Sequence, residues 1–263
     1  MTKQDGPADP AQLTVFAEND AQTEAAQQLA QHLNAQTARG RPGAGFSGLA
    51  LVLDAGGLWL AGDGQALRGD FTRLLPRIAP ANLNRELLVK AAKIKGLGDA
   101  PTAVDATAGL GEDAFLLAAA GFAVRLYECD PVIAALLRDA LRRAAGVPEL
   151  AAAAARMELF EEDSLAALPR LGFRPDLVLL DPMFPARQKS GLVKKKFQLL
   201  QRLERPCADE DALLAAALAA RPRRVAVKRP LKGPCLAGRQ PDFSLRGSGI
   251  RYDCILPPQG GAD

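Results

Sequence analysis

One histidine, His32, stands in a chain of 263 residues. A Ser-His-Asp or Cys-His mechanism would have to run through that single side chain. It lies in DAQTEAAQQLAQHLNA, a stretch patterned as an amphipathic helix whose histidine reads as a surface residue. Metal chemistry built on several histidines is excluded, and nothing else in the sequence asks for a metal. The four cysteines, Cys129, Cys207, Cys235 and Cys254, never fall at CxxC spacing, so neither a zinc site nor a secreted disulfide framework is indicated. The longest uncharged apolar run, Ala114–Val124, is too short to span a bilayer. The opening MTKQDGPADPAQ lacks the apolar core of a signal peptide. These absences point to a soluble cytoplasmic protein with no membrane partner. A dominant charge is missing too: 33 Lys plus Arg face 30 Asp plus Glu. Any affinity for nucleic acid must therefore come from local clustering rather than from the global field.

What is present is a change of rhythm near residue 80. Residues 1–80 read as a small α+β subdomain: LTVF as a strand, the glutamine-rich helix, then GLALVLDAGGLWLAG as a hairpin turning at Asp54-Ala55-Gly56-Gly57. RGRPGAGFSG is a loop on composition. From Asn82 onward strands and helices alternate. NRELLVKAAKI reads as helix, TAVDA as strand, DAFLLAAAG as helix and AVRLYE as strand. PVIAALLRDALRRA is helical, RMELFE and DLVLLD are strands, DALLAAALAA is helical, and RRVAVK is a strand. GIRYDCIL can add a last strand, parallel or antiparallel. The pattern predicts a Rossmann-like α/β domain over 81–263, its mostly parallel sheet covered by helices on both faces.

The first strand of that domain runs into VDATAGLGEDAF. Asp105 closes the strand, Thr107, Gly109 and Gly111 line a tight loop, and a helix begins near Glu112. In an open parallel sheet, ligands bind beyond the carboxyl ends of the strands. GLGEDA also fits the G-x-G-x-x-A form of a nicotinamide fingerprint, so an NAD-dependent oxidoreductase is a rival reading. Asp105, Glu112 and Asp113 would repel a pyrophosphate seeking bare N–H groups. They would welcome S-adenosylmethionine, whose amino group and sulfonium are cationic. At the end of the second strand, Glu128 can accept both hydroxyls of a ribose, which the two cofactors share. After the third strand, Asp163 or Ser164 could reach an adenine amino group, and Asp163 also suits a helix N-cap.

The fourth strand ends in LDPMFP, residues 180–185. Methylating a planar amine is difficult because its lone pair is delocalised. The group has to be held by its hydrogens while the lone pair turns toward the methyl donor. Asp181 and the backbone carbonyl of Pro182 can accept those hydrogens, and Phe184 offers a stacking face for a flat base. The alternative is a Pro-rich turn whose Phe packs on a neighbouring helix.

Taken together, VDATAGLGEDAF, LYE, LDPMFP followed by QKSGLVKKK, and VKRP resemble the RsmJ family over about Glu86 to Asp253. That family comprises S-adenosylmethionine-dependent methyltransferases acting on a guanine N2 of small-subunit (16S) ribosomal RNA. The resemblance implies a class I methyltransferase fold. It also implies donor contacts at Glu112, Asp113, Glu128, Cys129, Asp163, Ser164 and Asp181. Where enteric members carry a basic glycine-rich stretch before the core, this chain reads RIAPANLNREL.

After the acidic corner comes a basic run. Lys189, Lys194, Lys195 and Lys196, with Arg187, Arg202 and Arg205, are offset only by Glu204. This clustering suits phosphate contacts to ribosomal RNA or the small ribosomal subunit. Lys228 and Arg229 end the fifth strand and are expected on the same rim. Besides a guanine-N2 methyltransferase, three readings stand. They are methylation of another planar amine or amide (a DNA adenine, a protein glutamine), the oxidoreductase, and a non-catalytic RNA-binding module.

Overall fold

A computed structural model describes residues 13–182, 199, 203 and 209–257. Contacts divide these into two units. One holds the described residues up to Asp70 together with Asp130–Arg143, Leu199 and Leu203; the other holds Phe71–Cys129, 144–182 and 209–257.

The first unit is built on a five-stranded sheet: β1 (Leu13–Ala17), β2 (Gln36–Arg39), β3 (Leu49–Asp54), β4 (Gly57–Gly62) and β5 (Gln65–Leu67), in the order β2-β1-β3-β4-β5. β1 runs parallel to both β2 and β3. Parallel neighbours need a crossover, and the helix Thr23–His32 provides the one to β2, burying Ala26 and Ala30 one turn apart. The expected hairpin is there: β3 and β4 pair antiparallel, closing at Asp54 opposite Gly57. The Asp54 Oδ1 accepts from the Gly56 N–H at 2.7 Å. Gly57 has φ +110°, and a Cβ there would lie 2.6 Å from the side chains of Asp139 and Arg143, so both backbone and space require glycine. β2 went unforeseen because QTAR, mostly exposed, has no apolar alternation to read.

The second unit carries seven strands: β6 (Thr102–Asp105), β7 (Ala123–Tyr127), β8 (Met157–Phe160), β9 (Leu177–Leu180), β10 (Arg224–Pro230), β11 (Phe243–Arg246) and β12 (Ile250–Ile255). Their order is β11-β12-β10-β9-β6-β7-β8. The five strands from β8 to β10 are mutually parallel. β12 then inserts antiparallel between β10 and β11, which settles the direction of the last strand. The Rossmann-like arrangement is as expected. All four residues of β9 are buried, and since alternate side chains point to opposite faces, both faces are covered. On one face Val104, Val178, Leu180, Val225 and Val227 pack with Leu213, Leu214 and Ala217 of the helix Glu210–Ala219. Against β7 and β8 lies the helix Glu112–Ala119, buried from Ala114 to Ala118.

The helix expected over NRELLVKAAKI shortens to Leu87–Ala91. Helix Pro131–Ala145 forms as patterned, and a further short helix, Pro148–Ala154, follows it. Among the described residues no helix is long and apolar enough to cross a membrane.

Candidate active site

The sheet reverses its winding between β6 and β9. Strands added from β6 run outward through β7 and β8, and those added from β9 run the other way through β10. Adjacent strands β6 and β9 therefore mark the switch point, where an open parallel sheet has its ligand crevice at the carboxyl ends. Side-chain parity decides what faces it. Val104, Val178, Leu180, Val225 and Val227 belong to the face of helix Glu210–Ala219. Continuing the alternation turns Asp105, Asp181 and Lys228 to the other face, where helix Glu112–Ala119 begins.

Two of these groups, Lys228 and Asp181, are joined, with Asp113 from the helix start as a third. The Lys228 Nζ donates to Asp113 Oδ2 at 2.7 Å and to Asp181 Oδ2 at 2.8 Å. Tyr252, directly opposite Lys228 in the β10–β12 register, donates its hydroxyl to the same Asp113 Oδ2 at 3.1 Å. Burial pulls the lysine toward its neutral form, but the fields of Asp113 and then Asp181 outweigh it, and its pKa ends above the ordinary range. Burial raises Tyr252, and Asp113 and Asp181 raise it further. Lys228 is thus an ammonium and Tyr252 a neutral phenol at any working pH. Asp181 is pushed up by burial, against which Lys228 pulls down.

Asp105 lies deeper, 2% exposed. Burial carries its pKa to about 8, the Thr107 N–H on its Oδ1 opposing and the charges of Asp113 and Asp181 adding. At neutral pH it is mostly protonated. The expected charge count therefore changes: Asp105 contributes little, and Lys228 cancels one of the carboxylates Asp113 and Asp181. The crevice keeps a negative sign, but a smaller one than the loop alone implies.

The loop is held from both sides. Gly109 (φ +54°) and Gly111 (φ +74°) take left-handed conformations that favour glycine. Gly109 N–H donates to Glu128 Oε2 at 2.8 Å, so the buried carboxylate at the end of β7 steadies the loop as well as facing the crevice. Thr107 Oγ1 accepts from the Asp181 N–H at 2.7 Å, tying the β6 loop to the start of the acidic corner. Pro182, buried, follows at once. Farther out, Asp163 Oδ1 caps its helix on Leu165 N at 2.9 Å, with Ser164 buried beside it. Glu112 and Cys129 are exposed at their loop ends.

In RIAPANLNREL, Arg77 grips Glu86 with two bonds, Nε on Oε1 at 2.9 Å and Nη2 on Oε2 at 2.8 Å. Its guanidinium also feels Asp113 and Glu112, which brings this stretch to the helix start.

One expectation is corrected. Arg229, predicted to meet RNA, is 1% exposed. It donates to Pro234 O at 2.7 Å and Glu210 Oε1 at 3.1 Å. Odd parity along β10 sends it to the face opposite Lys228, where it fastens the turn after the strand. Lys228, expected on a phosphate-binding rim, is committed to two carboxylates. Tyr252 went unnoticed; its signal was pairing register, which no local motif carries. Phe184, Lys189, Lys194, Lys195 and Lys196 lie outside the described residues.

A family model described as a putative SAM-dependent methyltransferase matches residues 49–257. The chain belongs to this methyltransferase family. The ribosomal RNA small subunit methyltransferase J of Thioalkalivibrio sulfidiphilus is 43% identical over 242 residues, spanning 89% of this chain and 93% of that one. That of Pseudomonas aeruginosa is 48% identical over 170 residues, 64% of either chain. The crystal structure of a SAM-dependent methyltransferase from Neisseria gonorrhoeae superposes with a TM-score of 0.74 at 32% identity, over 95% of this chain and 97% of that one. The RsmJ resemblance, the class I methyltransferase fold and S-adenosylmethionine as the donor are borne out, and the nicotinamide reading falls. The methyltransferase's crevice fits that donor: net negative at Asp113, Asp181 and Lys228, with an acceptor carboxylate at Glu128 and a glycine loop for close backbone approach. Among the described residues no cluster of three metal-ligating side chains forms.

Proposed function

We propose that this methyltransferase modifies the exocyclic N2 of a guanine in small-subunit (16S) ribosomal RNA, and that it works in the cytoplasm. The observation that carries the reading is the convergence of Asp105, Asp181 and Lys228 on one face of the β6–β9 crevice. The small-subunit methyltransferase J relatives support the RNA target. Domain 81–263 holds the donor chemistry in this reading, and the subdomain 1–80 stands outside it.

S-adenosylmethionine supplies an electrophilic methyl when bound. Glu128 would hold ribose hydroxyls, and Asp113 with the loop Thr107–Gly111 the amino-acid end. Glu112 and Cys129 border that site, and Asp163 and Ser164 take the adenine side. Among the described residues, the side chain of Asp181 carries its partner on Oδ2, which leaves Oδ1 to accept an N–H of the guanine amino group. The Pro182 carbonyl accepts the second N–H, and Phe184 stacks on the base. With the donor bound, Asp181 would take up the N–H proton that the amino group gives up on methylation. The guanine has to be flipped out or presented in a loop to reach this corner. Lys189, Lys194, Lys195 and Lys196 grip phosphates, which makes RNA binding salt-sensitive.

The test is transfer of labelled methyl to small subunits, and to naked 16S RNA, from a strain deleted for its own enzyme. Nucleoside mass spectrometry should find N2-methylguanosine. Label in an adenine or in protein, or no label at all, would overturn the reading.

A further inference from the structure

Lys228 sits where the donor loop and the acceptor corner meet, yet its pairing with both sides rules it out as a proton acceptor. We infer that Lys228 is a positioning residue: its ammonium, locked between Asp113 and Asp181, holds the Asp181 carboxylate anionic and fixed in direction for the incoming amino group. The inference rests on the acceptor role proposed for Asp181.

Three observations carry it. The two contacts, 2.7 and 2.8 Å, are those of charge-assisted bonds. The lysine itself is held in place, because the turn after β10 is tied down from two sides. Arg229 grips Pro234 O and Glu210. Arg251 donates to the carbonyls of Pro230, Leu231 and Gly233 at 2.8–3.0 Å and is itself paired with Asp253. Thirdly, Asp181 Oδ2 is the oxygen engaged, so the other oxygen is pointed by default.

The surroundings explain why such a group is needed. Asp181 faces Asp113 from the helix start, Asp105 from β6, Lys228 and the more distant Arg229 from β10. Tyr252 from β12 is neutral, and Arg77 acts at longer range on Asp113. Without Lys228, a half-buried carboxyl would be left near two other acids and would take up a proton. A protonated Asp181 could neither accept the amino N–H strongly nor receive the proton released on transfer.

The experiment compares wild type with Lys228→Met, Lys228→Arg and Asp113→Asn. Single-turnover transfer to 16S RNA is followed against pH, and the Asp181 carboxyl is titrated by carbon-13 NMR in the donor-free protein. In Lys228→Met the acidic limb of the profile and the Asp181 resonance should both move up by at least about one pH unit, with the rate lost on the acid side restored in alkali. Lys228→Arg should keep the wild-type limb. Asp113→Asn removes a like charge, so the Asp181 resonance should move down. A folded Lys228→Met with an unmoved limb and resonance overturns the inference. Should that variant not fold, an Asp181 resonance unmoved or raised in Asp113→Asn does so. If wild type transfers no methyl to RNA, the functional reading fails, while the NMR shift still judges the lysine.

Discussion

The two sheets spend their charged residues differently. In β1–β5 and their loops, ion pairs run from exposed to partly buried: Arg39 with Asp20, both mostly exposed, Arg41 with Glu18, and Arg68 with Asp54 at the hairpin. Strand ends there are consumed by tight reversals, as at Asp54–Gly57. In β6–β12 the charges gather at the carboxyl ends of parallel strands, where Asp181, Asp113 and Lys228 meet beside buried Asp105 and Glu128. The residue types are the same. Hairpins bring a strand end straight back to its partner, whereas helical crossovers leave a row of strand ends on one crevice, and the second arrangement gathers two carboxylates around one ammonium.

This contrast can be broken at four points. Asp181→Ala should lower transfer about a thousandfold while circular dichroism and melting stay near wild type; activity within a few fold would remove the special standing of the strand ends. Glu128→Gln should weaken S-adenosylhomocysteine about 10- to 100-fold by calorimetry, because a charged acceptor and the Gly109 tether weaken together. Asp105 offers a test of burial. Its native pKa, about 8, lies above the ordinary 3.8, so between those values the unfolded chain holds fewer protons than the native one. Its contribution to stability is complete below the ordinary value and fades as pH rises through the native one, by up to about 1.4 kcal/mol per pH unit. Asp105→Asn should flatten that decline in denaturant titrations across the window; an unchanged slope would count against a buried, protonated Asp105. The smallest effect belongs to the other sheet: Arg39→Ala should cost less than about 0.5 kcal/mol, since an exposed pair gains little over water. A larger loss would mean that the rim pairs there are not the passive surface they look.

Much of the second unit was legible because its signals are local. Alternating apolar runs and helices gave the parallel sheet, and VDATAGLGEDAF and the Asp181 of LDPMFP marked groups that meet at Lys228. What was illegible depends on register and parity. Lys228 and Arg229 are neighbours of like charge, yet one reaches the crevice and the other, pointing the opposite way, is buried in the turn after the strand. Asp113 and Lys228 are 115 positions apart, so a charge count of the glycine loop could not include the ammonium that partly neutralises it. β2 was missed because QTAR carries no apolar alternation, and β11 because the four residues FSLR are too short a run to read without their neighbour β12.

The insertion of β12 between β10 and β11 has a consequence for synthesis. While the nascent chain is still short of residue 252, β10 has no neighbour on its outer side and Asp113 lacks its phenol. The strands β6 to β9 have already emerged by then, but Lys228 rides on an unfinished edge. The pairing that completes the β10 edge and brings a phenol to Asp113 is thus contributed by the last strand of the sheet to be synthesised.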